Sequence, residues 1–179
     1  MVVTNDEGLA GKVSHLSTQA KSDPIEYDHD EIGYNYRLAN IQAAMGVAQM
    51  ENLDKFIATK RKNALRYQKL FSGSRDLEFL WEKPWVMSNF WFYTIKVPEF
   101  HKKALIDYLL SKYIQVRPMW KPIHTLPMYR DCQVSEIENT MDIYHTAINL
   151  PCSVSLKDDD MDFVVESINN YLSQKEIIT

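Results

Sequence analysis

The 179-residue chain is long enough for one domain or two small ones, and its 45% hydrophobic content allows a substantial buried core. Its 20 basic and 24 acidic residues give a net charge of −4 without a long basic run, which argues against sequence-independent binding to nucleic acid. No apolar run approaches the ~20 residues of a membrane-spanning helix. Cys132 and Cys152 are too few for a disulfide framework and are typical of the reducing cytoplasm. We therefore expect a cytoplasmic protein that binds neither nucleic acid nor membranes.

The chain opens on a short strand followed by a helix. Met1–Val3 is β-rich but has no strand nearby in the sequence to pair with. Thr4 and Glu7 have the spacing of a capping box, which predicts a helix start. Three apolar residues then share one helical face: Leu9, Val13 and Leu16. A lone strand cannot form a sheet, so its partners are expected outside this sequence or in another chain.

A polar loop is predicted from Ser22 to Glu31 because the segment contains Pro24 and few apolar residues. Within it, Asp28–Glu31 offers carboxylates and an imidazole, which are metal-ligand types. Consecutive positions do not converge easily on one ion. The pattern therefore favours a solvated acidic loop, and no metal site is predicted.

A long helical segment follows from Leu38. Its apolar positions keep helical spacing, and several alanines together with Gly46 make the first half thin enough for close packing against another helix or subunit. The apolar pattern continues to Ser72–Gly73, which is a plausible stop. The basic residues of the second half predict a solvated face, and a helix of this length could bridge two domains.

From Ser74 onward the pattern predicts a small α+β domain. Three segments read as strands: Leu77–Trp81, Phe90–Val97 and Ile114–Met119. Three segments read as helices: Leu105–Tyr113, Met141–Ile148 and Met161–Leu172. Asp158–Asp160 lies at the start of the last helix, where its dipole favours negative charge.

Gly33-Tyr34-Asn35-Tyr36-Arg37 is the densest group of polar recognition residues in the chain. A helix start offers unpaired N–H groups to an anion, and Asn35 and Arg37 would add side-chain donors. The alternative is an ordinary turn before a helix, in which the tyrosines pack and Arg37 is solvated.

Together with other segments, this stretch resembles the DegT/DnrJ/EryC1/StrS sugar aminotransferases, which use pyridoxal 5'-phosphate (PLP) and have the α/β, type I fold of aspartate aminotransferase. The resembling segments are Met1–Asp6, Gly33–Met50, Arg117–Trp120, His124–Tyr129 and Asn149–Ser153. A finer likeness, to the LegC-like subgroup that acts on UDP-linked 4-keto-6-deoxy sugars, comes from Thr18–Lys21 and Asp23–Tyr27.

The resemblance implies that the sequence corresponds to the C-terminal half of such an enzyme. Residues 1–50 would be a remnant of the PLP-binding large domain, 51–73 a bridging helix, and 74–179 the small α+β domain. The lysine that forms the imine with PLP would precede Met1, so no catalytic residue is predicted here. Lys12, Lys21 and Lys121 do not occupy its position and are interpreted as surface lysines, with Lys121 the least implausible exception.

The resemblance also implies binding residues. Asn35 would cross a dimer interface and donate to the PLP phosphate of the neighbouring subunit. We assign Tyr34 and Arg37 to the substrate, although Arg37 could equally pair with an acidic residue. In the proline-rich segment after Arg117, the resemblance implies that His124 and Tyr129 contact a nucleotide-sugar. Trp120 could stack on it; the alternatives are a structural hydrogen bond for His124 and simple packing for Trp120.

The predicted whole enzyme is a homodimer that moves an amino group from glutamate to a UDP-linked 4-keto-6-deoxy sugar, for surface polysaccharide or nonulosonic acid. The chain alone is expected to bind no PLP and to be inactive. The alternative is a non-catalytic dimerising or nucleotide-sugar-binding module derived from such an enzyme.

Overall fold

The computed structural model describes residues 2–23 and 28–176, with the backbone alone at 175 and 176. The chain divides into two compact units, Met1–Asn52 and Leu53–Thr179. No described helix is long and apolar enough to span a bilayer.

The first helix of the first unit, α1 (Glu7–Ser17), is capped by Asp6, whose carboxylate accepts a hydrogen bond of 2.9 Å from the Leu9 N–H. The predicted capping box at Thr4 and Glu7 is therefore wrong. Asp6 stands directly before the helix, where a short acceptor reaches the third helical N–H, whereas the Thr4 hydroxyl accepts from Asp6 N at 3.1 Å.

The predicted opening strand is also absent from the described residues. Val2 and Val3 belong to no β-ladder and are exposed, and Met1 lies outside the described part of the chain. Without a neighbouring strand, two β-branched residues have no backbone partner to pair with.

The predicted acidic loop is tied to α1 rather than simply solvated. The Asp30 carboxylate lies 2.6 Å from His15 Nε2, and Glu31 pairs with Lys12. Pro24–Tyr27, the remainder of the predicted loop, lies outside the described residues. These ion pairs connect residues too far apart in sequence for a local pattern to reveal.

The predicted long helix is two helices, α2 (Asn40–Glu51) and α3 (Leu53–Leu70). The break falls at Asn52, whose side-chain amide donates to Ala48 O at 2.9 Å. An asparagine side chain that bonds to the backbone competes with the helical ladder. The predicted stop at Gly73 is confirmed, because Gly73 adopts a φ of 91° just after α3.

The second unit contains a four-stranded antiparallel sheet in the order β1-β2-β4-β3. Its strands are β1 (Glu78–Phe79), β2 (Tyr93–Lys96), β3 (Arg117–Pro118) and β4 (Ala147–Leu150). After α3, its helices are α4 (Glu99–Ser111), α5 (Glu138–Thr146) and α6 (Asp158–Glu176), with 3-10 turns at Ile123–Thr125 and Pro127–Tyr129.

The order and positions of the predicted strands and helices of this unit are confirmed, but β1, β2 and β3 are shorter than predicted, and there is one error at Ile148. Ile148 was assigned to a helix but lies in β4, an interior strand whose four residues are all buried. A short apolar run is compatible with a buried helix or a buried strand, and only pairing with distant strands decides between them.

The core lies between one face of the sheet and helices α3, α4 and α6. The cross-strand pairs Tyr93–Leu150 and Ile95–Ile148 supply this buried face. Because side chains alternate along a strand, Thr94, Asn149 and Arg117 lie on the opposite face. This α+β arrangement was predicted, and it leaves that second face to carry polar groups.

Two buried core tyrosines differ in whether the hydroxyl has a partner, which gives a paired test. The Tyr67 hydroxyl is buried without a partner in the described residues, whereas the Tyr93 hydroxyl donates to Lys60 O at 3.0 Å. We expect Tyr67→Phe to be neutral or to stabilise by up to about 1 kcal/mol, and Tyr93→Phe to cost about 1 kcal/mol. Urea unfolding measures both; a larger loss for Tyr67→Phe would contradict the assignment.

Candidate functional site

Asn35 is held in place by backbone pairing with the end of α1. Tyr34 N donates to Leu16 O at 2.7 Å, Gln19 N donates to Tyr34 O at 3.1 Å, and Tyr36 N donates to Ser17 O at 3.1 Å. Gly33 permits this close approach, because a Cβ there would lie 2.3 Å from Gln19 C. The glycine therefore has a packing role.

A cavity of about 450 Å³ adjoins Asn35, and hydrogen-bond donors dominate its wall. It is lined by Ser14, Thr18, Gln19, Lys21, Asn35 and Arg37. Among the residues that line it there are two cations and no carboxylate. Such a set of hydroxyls, amides and cations fits an anion such as a phosphate.

Arg37 forms no ion pair with any residue of 2–23 or 28–176, so the predicted alternative of an acidic partner is not found there. Tyr34 and Tyr36 stack at 5.2 Å between ring centroids, and both are exposed. The helix predicted to start at Leu38 after this stretch begins at Asn40, so the stretch itself does not form the helix start. The helix end that borders this cavity is the C-terminal end of α1, which carries a partial negative charge. The positive charge that an anion needs must therefore come from the side chains that line the cavity.

His15, Asp30 and Glu31 place three ligand-type atoms within 4.8 Å of one another on the outside of the same unit. The hydrogen bond to His15 lowers the pKa of the Asp30 carboxyl, and Glu31 is neutralised by Lys12. The cluster is accounted for as ion pairs that fasten the acidic loop to α1.

In the second unit, Trp120 belongs to a cluster of three aromatic rings with Trp91 and Phe92. Ring centroids are 4.8 Å apart for Trp91–Phe92, 5.2 Å for Phe92–Trp120 and 6.4 Å for Trp91–Trp120. Trp91 is 66% exposed and Trp120 is 63% exposed. Of these three rings, the sequence indicates only Trp120 as a ligand contact; the aromatic run at Phe90–Tyr93 is a visible signal, but by itself it predicts only a strand.

A cavity of about 310 Å³ lies beside Phe92 on the sheet face opposite the core. It is lined by Phe92, Gln115, Arg117, Asn149, Leu150, Pro151, Cys152 and Ser153. Asn149 is 4% exposed, and its Oδ1 accepts from Thr94 Oγ1 at 2.7 Å. Its amide nitrogen donates no hydrogen bond within the described residues and is not among the fully buried atoms without a partner, so it is open to the cavity.

Lys60 fixes the backbone around this cavity and was missed by sequence reasoning. Its ammonium donates to Phe90 O at 3.3 Å, Trp91 O at 2.9 Å and Cys152 O at 2.7 Å. Burial lowers the pKa of Lys60. Three hydrogen bonds use all the protons of an ammonium group, so Lys60 ties the Trp91 segment to the Cys152 segment.

His124 and Tyr129 lie in the two 3-10 turns, His124 half-buried and Tyr129 41% exposed. No hydrogen bond or ring contact in the described residues joins either of them to Trp120. Their roles as substrate contacts remain predictions.

The three lysines that the sequence indicates as surface residues lie in different surroundings. Lys12 pairs with Glu31, and Lys21 lines the first unit's cavity. Lys121 lines a groove of about 680 Å³ that also holds Lys102, an amine whose pKa is lowered by burial.

Comparison with known proteins identifies the relatives of this chain. It is 36% identical over 177 residues to GDP-perosamine synthase of Escherichia coli O157:H7, covering 98% of this chain and 48% of that protein. It is 27% identical over 179 residues to UDP-4-amino-4,6-dideoxy-N-acetyl-beta-L-altrosamine transaminase of Campylobacter jejuni serotype O:2, covering 97% of this chain and 48% of that protein.

Among solved structures, Helicobacter pylori PseC, an aminotransferase involved in the biosynthesis of pseudoaminic acid, matches with a TM-score of 0.74 and 26% identity. The match covers 94% of this chain and 47% of that one. The chain thus spans about half the length of the relatives it matches, as predicted for half of such an enzyme. The family model of the DegT/DnrJ/EryC1/StrS aminotransferases matches residues 1–169, and the chain belongs to that family.

Proposed function

We propose that this chain is part of a PLP-dependent aminotransferase that moves an amino group from glutamate to a nucleotide-linked 4-keto-6-deoxy sugar. Family membership supports the reaction class. The names of the relatives support a nucleotide-sugar, and they include both a GDP-sugar and a UDP-sugar enzyme. The subgroup likeness at Thr18–Lys21 favours UDP over GDP. Because the relatives include enzymes of both kinds, both nucleotides are used in the test.

The cavity of the first unit carries the cofactor part of the proposal. When bound, PLP supplies the electron sink that transamination needs. Asn35 would donate its amide N–H to the cofactor's phosphate, and Arg37, which we assign to the substrate, would add positive charge to the same cavity. The single observation behind this assignment is that both donors line a wall with no carboxylate among its described residues.

Exposed apolar side chains on α2 support a homodimer. The exposed set is Ile41, Met45, Val47 and Met50. Exposed apolar side chains gathered on one short helix are typical of an interaction surface. We propose a second copy as its partner, so that Asn35 of one subunit serves the cofactor of the other.

The remaining predicted site residues belong to the substrate part of the proposal. Tyr34 would shape the same region as Arg37. In the second unit, Trp120, His124 and Tyr129 would contact the nucleotide-sugar. None of Lys12, Lys21 and Lys121 is proposed as the imine-forming lysine, so the chain alone is expected to be inactive.

A chimera tests this proposal. The lysine-bearing half of the Escherichia coli GDP-perosamine synthase, joined ahead of this chain, should transfer nitrogen from [15N]glutamate to a 4-keto-6-deoxy sugar on UDP or GDP, whereas the chain alone should not. In the chimera, Asn35→Ala should weaken PLP binding about tenfold, the value of one hydrogen bond to a charged group. Mass spectrometry of the product and equilibrium dialysis of PLP are the measurements.

Asn5→Ala is the matched control, because Asn5 is an exposed amide of the same unit and does not line the cavity. A folded chimera that binds PLP but aminates neither sugar would contradict the proposal and favour the non-catalytic module. PLP trapped by borohydride on a lysine of the chain alone would contradict the assignment of the imine lysine to another segment.

A further inference from the structure

We propose that Trp91, Phe92 and Trp120, here called the aromatic platform, bind the base of the nucleotide on the substrate, and that the adjoining cavity holds its phosphates. This inference rests on the proposed function, since it names the part of the substrate that the second unit recognises. The inference depends on Trp91 and Phe92 and on the polar groups of the adjoining cavity. The reaction class alone does not indicate these residues.

The platform presents large π-faces to solvent. Two indoles that are each about two-thirds exposed lie 6.4 Å apart between ring centroids, with Phe92 against both. Nucleobases stack on such rings whatever their identity, because every base has a π-face. An exposed cluster of rings beside the start of β2 and the end of β3 is therefore suited to a base.

The cavity beside Phe92 supplies donors for the rest of a nucleotide. Arg117 and Asn149 are cross-strand partners, so their side chains lie on one face of the sheet. The Asn149 amide nitrogen donates no hydrogen bond within residues 2–23 and 28–176 and is open to the cavity, and Arg117 donates only to Val116 O and Gln115 Oε1. No carboxylate lines this cavity in the described chain. The charge is complementary to a diphosphate.

The segment that carries the platform is held in an unusual conformation. Phe90, directly before Trp91, is buried with a φ of 48°, a region that residues other than glycine rarely adopt. Lys60 holds the carbonyls of Phe90 and Trp91 against that of Cys152. Strain of this kind clusters at ligand sites.

A nucleotide accounts for these features better than a second copy of the chain does. An apolar subunit contact would cover the rings but would leave the Asn149 amide and the Arg117 charge without partners. A base joined to a diphosphate satisfies all three features at once.

Tryptophan fluorescence of the chain alone tests the inference. UDP and GDP should quench it saturably below about 1 mM, within the usual range of substrate affinities, and pyrophosphate should compete without comparable quenching. Trp91→Ala or Trp120→Ala should raise the Kd for UDP about tenfold, the usual effect of losing one base-stacking ring, and Trp91→Phe should restore most of the affinity. Arg117→Gln should abolish the preference for UDP over uridine.

Trp85→Ala is the control, because Trp85 is 81% exposed and has no ring contact in the described residues. Circular dichroism checks that each variant is folded. Absence of nucleotide binding by the unaltered chain, or equal effects of Trp85→Ala and Trp91→Ala, would overturn the inference. The inference would also be overturned if sedimentation showed that the tryptophans mediate only self-association of the chain. Because amino transfer is measured separately in the chimera, loss of this inference leaves the proposed reaction standing.

Discussion

Replacing Lys60 with methionine is expected to destabilise the second unit by about 2–3 kcal/mol, because three carbonyl groups lose a charged donor. The Lys60 ammonium lies 2.7 Å from Cys152 O and 2.9 Å from Trp91 O, and 5.3 Å from the centroid of the Tyr93 ring. Methionine has a similar length and keeps the apolar contacts of the side chain. The loss should therefore report the hydrogen bonds rather than a cavity.

Urea unfolding of Lys60→Met and of a matched control, Lys62→Met, measures this effect. Lys62 is two residues away on α3 and exposed, so its replacement should change the free energy of unfolding by no more than about 0.5 kcal/mol. A second readout separates positioning from stability: at temperatures where Lys60→Met remains folded, its Kd for UDP should still rise, because the Trp91 segment has lost its anchor. Equal unfolding free energies for the two variants would contradict this role for Lys60.

The part of the fold that the sequence predicts well is the part whose periodicity is local. The amphipathic stripe of α6 and the aromatic, β-branched run of β2 each indicate their element without outside information. The acidic first turn of α6 adds a start signal that the structure retains. These elements fix the α+β character of the second unit.

One error falls where distant residues decide the outcome, and another where a local side-chain hydrogen bond does. Ile148 is in a strand because β2 and β3 pair with it on both sides, and no pattern within its own segment states that. Asn52 interrupts a helical repeat through one side-chain hydrogen bond. Apolar spacing alone is insensitive to both effects.

The candidate site shows the same division. Asn35, Arg37 and Trp120 could be selected from residue type and from the family likeness. Lys60 could not, because its partners at Trp91 and Cys152 come from two other segments of the chain. The unpartnered amide of Asn149 likewise becomes visible only when its burial and its hydrogen bonds are known.

Gly33→Ala is expected to disrupt the pairing of residues 34–36 with the end of α1, at a cost of about 3 kcal/mol or more. The new Cβ would lie 2.3 Å from Gln19 C and 2.4 Å from Ala20 N, distances that backbone atoms do not tolerate. The opposing backbone cannot easily retreat, because Gln19 and Ala20 already have φ values of 71° and 50°. Hydrogen exchange at the Gln19, Tyr34 and Tyr36 amides should lose its protection.

Gly11→Ala and Gly46→Ala are the matched controls for this prediction. Both glycines lie inside helices, and a Cβ at either would meet nothing within 4 Å, so alanine should stabilise the helix by about 0.5–1 kcal/mol. In the chimera, Gly33→Ala should also weaken PLP binding, because Asn35 would lose the backbone pairing that presents it to the cavity. If the Tyr34 amide were equally protected from exchange in all three alanine variants, the close approach at Gly33 would not contribute to stability. The placement of Asn35 beside the cavity would then lose its structural basis.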